Sequence, residues 1–417
     1  MDLNTIDGAL LLEWLKFLSI PVIAGLVGIV TNWLAIKLTF YPLKFRGIRP
    51  FLGWQGIIPS KARKMASISV DSTLSRLGTV SEIIEQMNPA IIAEHILSTL
   101  EPRLEELVDE IMRKRHRTLW QNLPKPLKEI AYARVKHEVP RIVDNLVADL
   151  APKIESLFDL KGMVIDRLEQ DKHLLNKIFL ECGHEEFTFI IRSGLWFGFL
   201  FGLPQLVLWY FFPIPLILPV CGFLVGWATN WLALNMIFRP LKPVKILGFT
   251  FQGLFLKRQP EVSDAFCSII TEEILTVELI VQAMLTGKEA ERTRAIIQRH
   301  FEELVDEASG IIKPFTQAAL GPKAFAELKQ ETGQKAIDLS TQTLKDPLFN
   351  HQRALAVKEI MAERMKQLPS EEFQDLLRPC FQEDEIKLII IGGILGALAG
   401  AGQLAFIFGQ SLVTLWN

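Results

Sequence analysis

Charged residues vanish from three long stretches of this chain, and those stretches predict its first elements. Phe17–Ile36 holds 20 residues without Asp, Glu, Lys or Arg, Ser193–Phe238 holds 46, and Leu388–Asn417 holds 30. A helix needs ~20 such residues to cross a bilayer. The longest stretch has room for two, and Tyr210-Phe-Phe-Pro-Ile-Pro215 sits near its middle, where paired prolines break a helix. Four spans are therefore predicted, near 17–40, 192–212, 214–238 and 388–413. Only Lys16 stands against Asp2, Asp7 and Glu13 ahead of the first span, so the positive n-region of a cleavable signal peptide is missing.

Between the spans lie two polar stretches, Lys44–Arg192 and Arg239–Lys387, whose apolar positions recur at helical spacing. Leu104, Leu107, Val108 and Ile111 form one stripe, and Phe301, Leu304, Val305 and Ala308 form another. A third runs through Val139, Ile142, Val143, Leu146, Leu150 and Leu157, with Pro140 and Pro152 expected to segment it. Thr79-x-x-Glu82 reads as a capping box, and Asn88-Pro89 as an N-cap followed by proline in the first turn. Pro42–Pro59 is too short and glycine-rich for a helix and reads as an interfacial loop or hairpin. The fold class is mainly α, an integral membrane protein with four transmembrane helices and two long helical regions.

Composition agrees. The 417 residues are 49% apolar and 22% charged with net charge −2, and mean hydropathy is +0.25. Disorder, collagen-like repeats and a disulfide scaffold are excluded. The charge arrangement adds an orientation. Lys37, Lys44, Arg46, Arg49, Lys61, Arg63 and Lys64 follow the first span before any acid, and Arg239, Lys242, Lys245, Lys257 and Arg258 follow the third. Positive charge near span ends marks the cytoplasmic side. Both polar stretches are expected in the cytoplasm or stroma, and both termini on the other side, of a bacterial (or cyanobacterial or plastid-type) inner or plasma membrane. The same side chains, Lys44, Arg46, Arg49, Lys61, Arg63, Lys242, Lys245, Lys257 and Arg258, are candidate contacts for anionic headgroups of the bilayer. They hug the membrane without a recognition motif, so nucleic acid is not an expected partner.

The chain also repeats itself. Residues 31–44, TNWLAIKLTFYPLK, and 229–242, TNWLALNMIFRPLK, agree at nine of fourteen positions. At an offset of 197, Gln55-Gly56 falls on Gln252-Gly253, Thr79-Val80 on Thr276-Val277, and the run Glu105–Glu110 on Glu302–Glu307. At 198, Gly194, Gly198 and Gly202 fall on Gly392, Gly396 and Gly400. A tandem duplication is predicted, residues 1–212 and 213–417, each a span, a motif, a helical region and a second span. Each half holds an even number of spans, so both insert in the same sense, unlike inverted-repeat transporters.

At Thr31-Asn32-Trp33, Pro42 and Gln55-Gly56, and at Thr229-Asn230-Trp231, Pro240 and Gln252-Gly253, the chain resembles the YheB/YjiN-like bacterial membrane proteins, grouped under domain of unknown function 445. Gly28–Arg63 match that pattern fully; Gly226–Arg258 match it with Leu256 in place of the proline at 59. The resemblance implies membrane location and topology, and carries no activity, cofactor or catalytic residue.

Asn32 and Asn230 sit near span ends, where a buried amide is costly unless bonded, so a helix–helix hydrogen bond is the simpler reading and a polar gate or headgroup ligand the alternative. Trp33 and Trp231 read as interfacial anchors. The two glycine ladders read as close-packing faces, between spans two and four or in a homo-oligomer. Cys182, Cys221, Cys267 and Cys380 form no CxxC, the seven histidines no HExxH, and no P-loop, GxSxG or Rossmann glycine pattern occurs. No catalytic residue, metal site or cofactor is expected, and the acidic runs at 105–110 and 302–307 read as solvated faces. Function is expected to be non-enzymatic. A scaffold or tether organising the envelope through a protein partner comes first; the alternative is transport of lipid or an apolar small molecule in grooves of the helical regions. A scaffold would close its apolar stripes into a dry core, whereas a carrier would leave a groove.

Overall fold

The computed structural model describes residues 3–48, 52–71, 77–246, 248–309, 321–375, 378 and 385–408. Arg49, Cys380 and the end of the fourth predicted span lie outside them. The elements that matter below are, in chain order, α1 (Leu3–Phe40), β1 (Arg46–Ile48), β2 (Leu52–Trp54), α2 (Leu104–Asn122), α3 (Lys125–Leu150), α4 (His184–Phe211), α5 (Ile217–Phe238), β3 (Val244–Ile246), β4 (Phe249–Phe251), α6 (Ala290–Ser309), α7 (Pro322–Thr343) and α8 (Glu385–Gln403). Shorter helices connect them. The protein is mainly α, and four helices are long and apolar enough to cross a membrane: Trp14–Phe40, His184–Phe211, Ile217–Phe238 and Glu385–Ile407.

The chain forms two compact units. One comprises Met1–Thr73, Leu168–Phe266 and Met365–Asn417; the other comprises Leu74–Arg167 and Cys267–Arg364. Each unit draws on residues from both sides of position 212, so the compact units cut across the halves read from the sequence.

The first unit holds the four apolar helices. α1 packs along α4, and α5 along α8. Glycine makes these approaches close. A Cβ on Gly194 would run into the Gly28 carbonyl, one on Gly198 into that of Ala24, and one on Gly202 would lie 2.6 Å from Pro21 Cα. In the other pair, Cβ atoms on Gly392, Gly396 and Gly400 would run into Asn230, Gly222 and Leu218. The ladders thus face spans one and three, whereas packing between spans two and four was expected. The reason lies in Gly25, Gly28, Gly222 and Gly226, which give the opposing helices matching hollows.

Beyond α1 and α5 the chain turns through β1–β2 and β3–β4, two short antiparallel hairpins paired Arg46 to Trp54 and Val244 to Phe251. Of the stretch from Pro42 to Pro59, residues 46–48 and 52–54 pair as the expected hairpin. Gly56 N–H donates to the Pro42 carbonyl at 2.9 Å, and Gly253 N–H to that of Pro240 at 3.0 Å. Gln55 Nε2 donates to the Leu43 carbonyl at 2.7 Å, and Gln252 Nε2 to that of Leu241 at 3.5 Å. A four-residue helix follows each, Ile57–Ser60 and Leu254–Lys257, so Leu256 in place of proline leaves the turn unchanged.

The second unit is helical throughout its described residues. Thr79 forms the predicted capping box with Glu82, and Pro89 opens its helix. Asn88 stands at the N-cap without a side-chain cap bond. Pro140 does not segment its stripe: α3 runs through it, while Pro152 does end the helix in a 3-10 turn. An interior proline costs ~3 kcal/mol; here Val139, Ile142 and Val143, around it in the chain, are all buried.

Candidate functional site: an apolar chamber in the second unit

In the second unit α2 packs against α3, α3 against α6, α6 against α7, and α7 back against α2. Four helices so connected form a ring. Between the four helices lies a partly open apolar pocket of about 340 Å³. Its wall takes Leu104, Leu107, Val108 and Ile111 from α2 and Phe301, Leu304, Val305 and Ala308 from α6, the two stripes read from the sequence. α3 adds Ala131, Val135 and Val139, and α7 adds Phe325, Leu328, Ala336 and Leu339. Apart from main-chain groups, polarity enters at Trp120, Ser309, Thr332 and Lys335.

The wall is built from partners 197 apart in the chain: Leu107 and Leu304, Val108 and Val305, Ala131 and Leu328, Val139 and Ala336. The supporting bonds recur as well. Tyr132 O–H donates to Asp109 Oδ1 at 2.5 Å, and Lys329 Nζ to Asp306 Oδ2 at 2.6 Å, each across 23 residues. Between neighbouring helices of the ring, Lys335 Nζ meets Glu110 Oε1 at 2.6 Å, and Arg141 pairs with Glu307. Ala93, Ile142, Val143, Ile297 and Ile337 are buried in one cluster with lining residues such as Leu107, Val139 and Leu304.

Asp109 departs from the solvated face expected of the acidic run. Trp120 Nε1 donates to it at 2.8 Å beside the Tyr132 bond. Burial pushes its carboxyl up, but those two hydrogen bonds and the charges of Arg113 and Lys128 together outweigh burial and hold it below the usual carboxylate range. Tyr132 is pushed up to about 12, by burial first and then by Asp109. Glu105, Glu106 and Glu110 are exposed, as a solvated face requires. Among the described residues no group of three His, Cys, Asp or Glu is placed to hold a metal.

In the first unit, Asn32 Nδ2 donates to the Ile190 carbonyl at 2.6 Å and Asn230 Nδ2 to that of Leu388 at 2.9 Å. Thr31 and Thr229 each bond the carbonyl three residues back, of Gly28 and Gly226. Trp33 and Trp231 are both 47% exposed, the first under Lys37 Nζ and the second stacked on Trp227. Of the basic collar, Lys44, Arg46, Lys242, Lys245 and Lys257 are exposed. Other members are engaged within the protein: Arg63 pairs with Glu169 at 2.9 Å, and Arg258 contacts both oxygens of buried Glu186 at 3.0 Å. Lys61 is half-buried and also bonded. The sequence carried no signal for Glu186, whose partner is 72 residues away.

Taken together these features define a membrane protein with four apolar helices and a separate helical unit containing an apolar chamber. The chain is 30% identical over 95 residues to UPF0754 membrane proteins of Staphylococcus aureus strains MRSA252 and JH9. The match spans 22% of this chain and a quarter of the length of those relatives. No family model matches the chain.

Proposed function

We propose that this membrane protein binds a long apolar chain in the chamber framed by α2, α3, α6 and α7, and so takes part in lipid handling. The pocket of about 340 Å³ carries the reading. An apolar occupant would cover the apolar lining, and the volume lies within the ~300–1,000 Å³ of ordinary ligand pockets. The reading needs no catalytic residue, metal or cofactor. It places the helical unit on the cytoplasmic side, both termini on the other, and the exposed part of the basic collar against anionic headgroups. It fits the resemblance to YheB/YjiN-like proteins, which carries no competing activity.

A scaffold that organises the envelope, alone or as a homo-oligomer, is the second reading. The buried cluster of Ala93, Ile142, Val143, Ile297 and Ile337 favours it, because a scaffold needs only such a dry core. Native mass spectrometry of the protein purified in mild detergent separates the two. Lipid handling expects a stoichiometric lipid in the wild type that is lost when Val135→Trp fills the chamber. Equal lipid in wild type and V135W, both folded by circular dichroism, would leave the scaffold standing.

A further inference from the structure

The two halves of the chamber's lining differ at several positions, and some of the differences are in polarity. Met112 on α2 corresponds to Ser309 on α6, and Val135 on α3 to Thr332 on α7. Lys335, which also lines the chamber, stands where the other half has Glu138. Thr332 and Lys335 are one turn apart on α7 and bring a hydroxyl and a cation to one stretch of the wall, whereas Ser309 lies about three turns along α6 from Gln298, the residue that packs at Gly333. An asymmetric wall of this kind orients an asymmetric ligand.

We propose that the ligand is a single-chain amphiphile with an anionic head, its tail along α2 and α3 and its head at Thr332 and Lys335. This rests on the chamber being a site for an apolar chain. The shape supports one tail. Lining residues run along α2 from Leu104 to Trp120, a length of about 24 Å at 1.5 Å per residue. The volume is at the lower end for ligand pockets.

The head must be anionic to use Lys335. Its ammonium holds Glu110 at 2.6 Å, and the Glu110 side chain is 54% exposed. Exposed pairs of this sort contribute little, so Glu110 can turn to water and cede the ammonium to a ligand carboxylate. The Thr332 hydroxyl donates to the Leu328 carbonyl at 2.9 Å and can rotate to donate to the head instead. Asp306 and Glu331 are held by Lys329 and Lys114 at 2.6 Å, and Glu307 by Arg141.

The test compares palmitate with hexadecanol, equal in chain and different in head, on the full chain in nanodiscs. Displacement of an environment-sensitive apolar dye is read against empty discs. Palmitate is expected to bind roughly tenfold more tightly than the alcohol, the scale of a charge-assisted hydrogen bond. Lys335→Met should abolish that preference while leaving hexadecanol affinity within about twofold, and Lys335→Arg should restore it. Equal affinity for both probes, or equal weakening of both by K335M, would overturn the anionic head while the apolar-chain reading stood. If neither probe displaces the dye, that reading fails and the proposal with it. Retained hexadecanol binding by K335M is its own control for folding.

Discussion

Asn32 lends its amide to the carbonyl of Ile190, 158 residues away, and Asn230 does the same for Leu388 at the same separation. Gly194 and Gly392 make room for it: a Cβ on Gly194 would lie 2.7 Å from Asn32 Nδ2, and one on Gly392 would run into Asn230. The two span motifs therefore work as a lock between helices, with the glycine as much a part of it as the amide.

Replacing Asn32 or Asn230 by Ala is expected to destabilise by about 0.6–2 kcal/mol, the range for interhelical hydrogen bonds in membranes. Thermal unfolding in detergent should show lowered midpoints for both. Unchanged midpoints would mean that the amides serve something other than helix pairing.

Gly198→Leu and Gly396→Leu should be worse. Each introduced side chain meets main chain, at Ala24 and Gly222, and backbone does not yield as a side-chain tip does. Loss of the folded peak in size-exclusion chromatography, or a midpoint lowered well beyond that of N32A, is the expected result. Normal behaviour would show that these helices do not approach at those rungs.

Tyr132 should ionise late. Its phenol is pushed up to about 12 by burial and Asp109. A folded-state value above the unfolded ~10 means a contribution present below pH ~10 and lost as pH rises through about 12. The chain has only 3 tyrosines, so ultraviolet difference titration resolves it. Asp109→Asn should move that titration towards the ordinary value; no movement would mean that the pair does not form.

At the acid end, Asp149 is held low by the Lys153 hydrogen bond, with His300 and Arg299 adding and burial opposing. Asp159 is held low by Lys288. Depressed carboxylates stabilise above their unfolded value of ~4 and lose that contribution as pH falls through the folded value. The thermal midpoint should drop between about pH 5 and 3, and Asp149→Asn should flatten the drop. An equally steep profile in D149N would remove Asp149 from the account.

Much of this was legible because it depends on local rules. Absence of charge located four apolar helices, although α4 begins at His184 rather than near 192, because its first turns carry Glu185, Glu186 and Arg192 and the charge criterion sees only the part without them. Stripe periodicity picked out Leu104–Ile111 and Phe301–Ala308. It was blind to what they face, since periodicity is the same for a closed core and for a chamber wall. The ladder's partner was missed for a related reason: Gly25–Gly28 and Gly222–Gly226 are visible in the sequence, but which helix they meet is a tertiary fact. Arg258 illustrates the limit for charge, because a cation near a span reads as a collar until its distant acid, Glu186, is found.

The ring of helices also sets an order of events. α2 and α3 leave the ribosome about 200 residues before α6 and α7, and two apolar helices are made between them. At ~5–20 residues per second the first two walls wait roughly 10–40 s for the others. Until then Leu107, Val108 and Val139 face water or a chaperone, so the newborn chain displays the chamber's lining before it has a chamber.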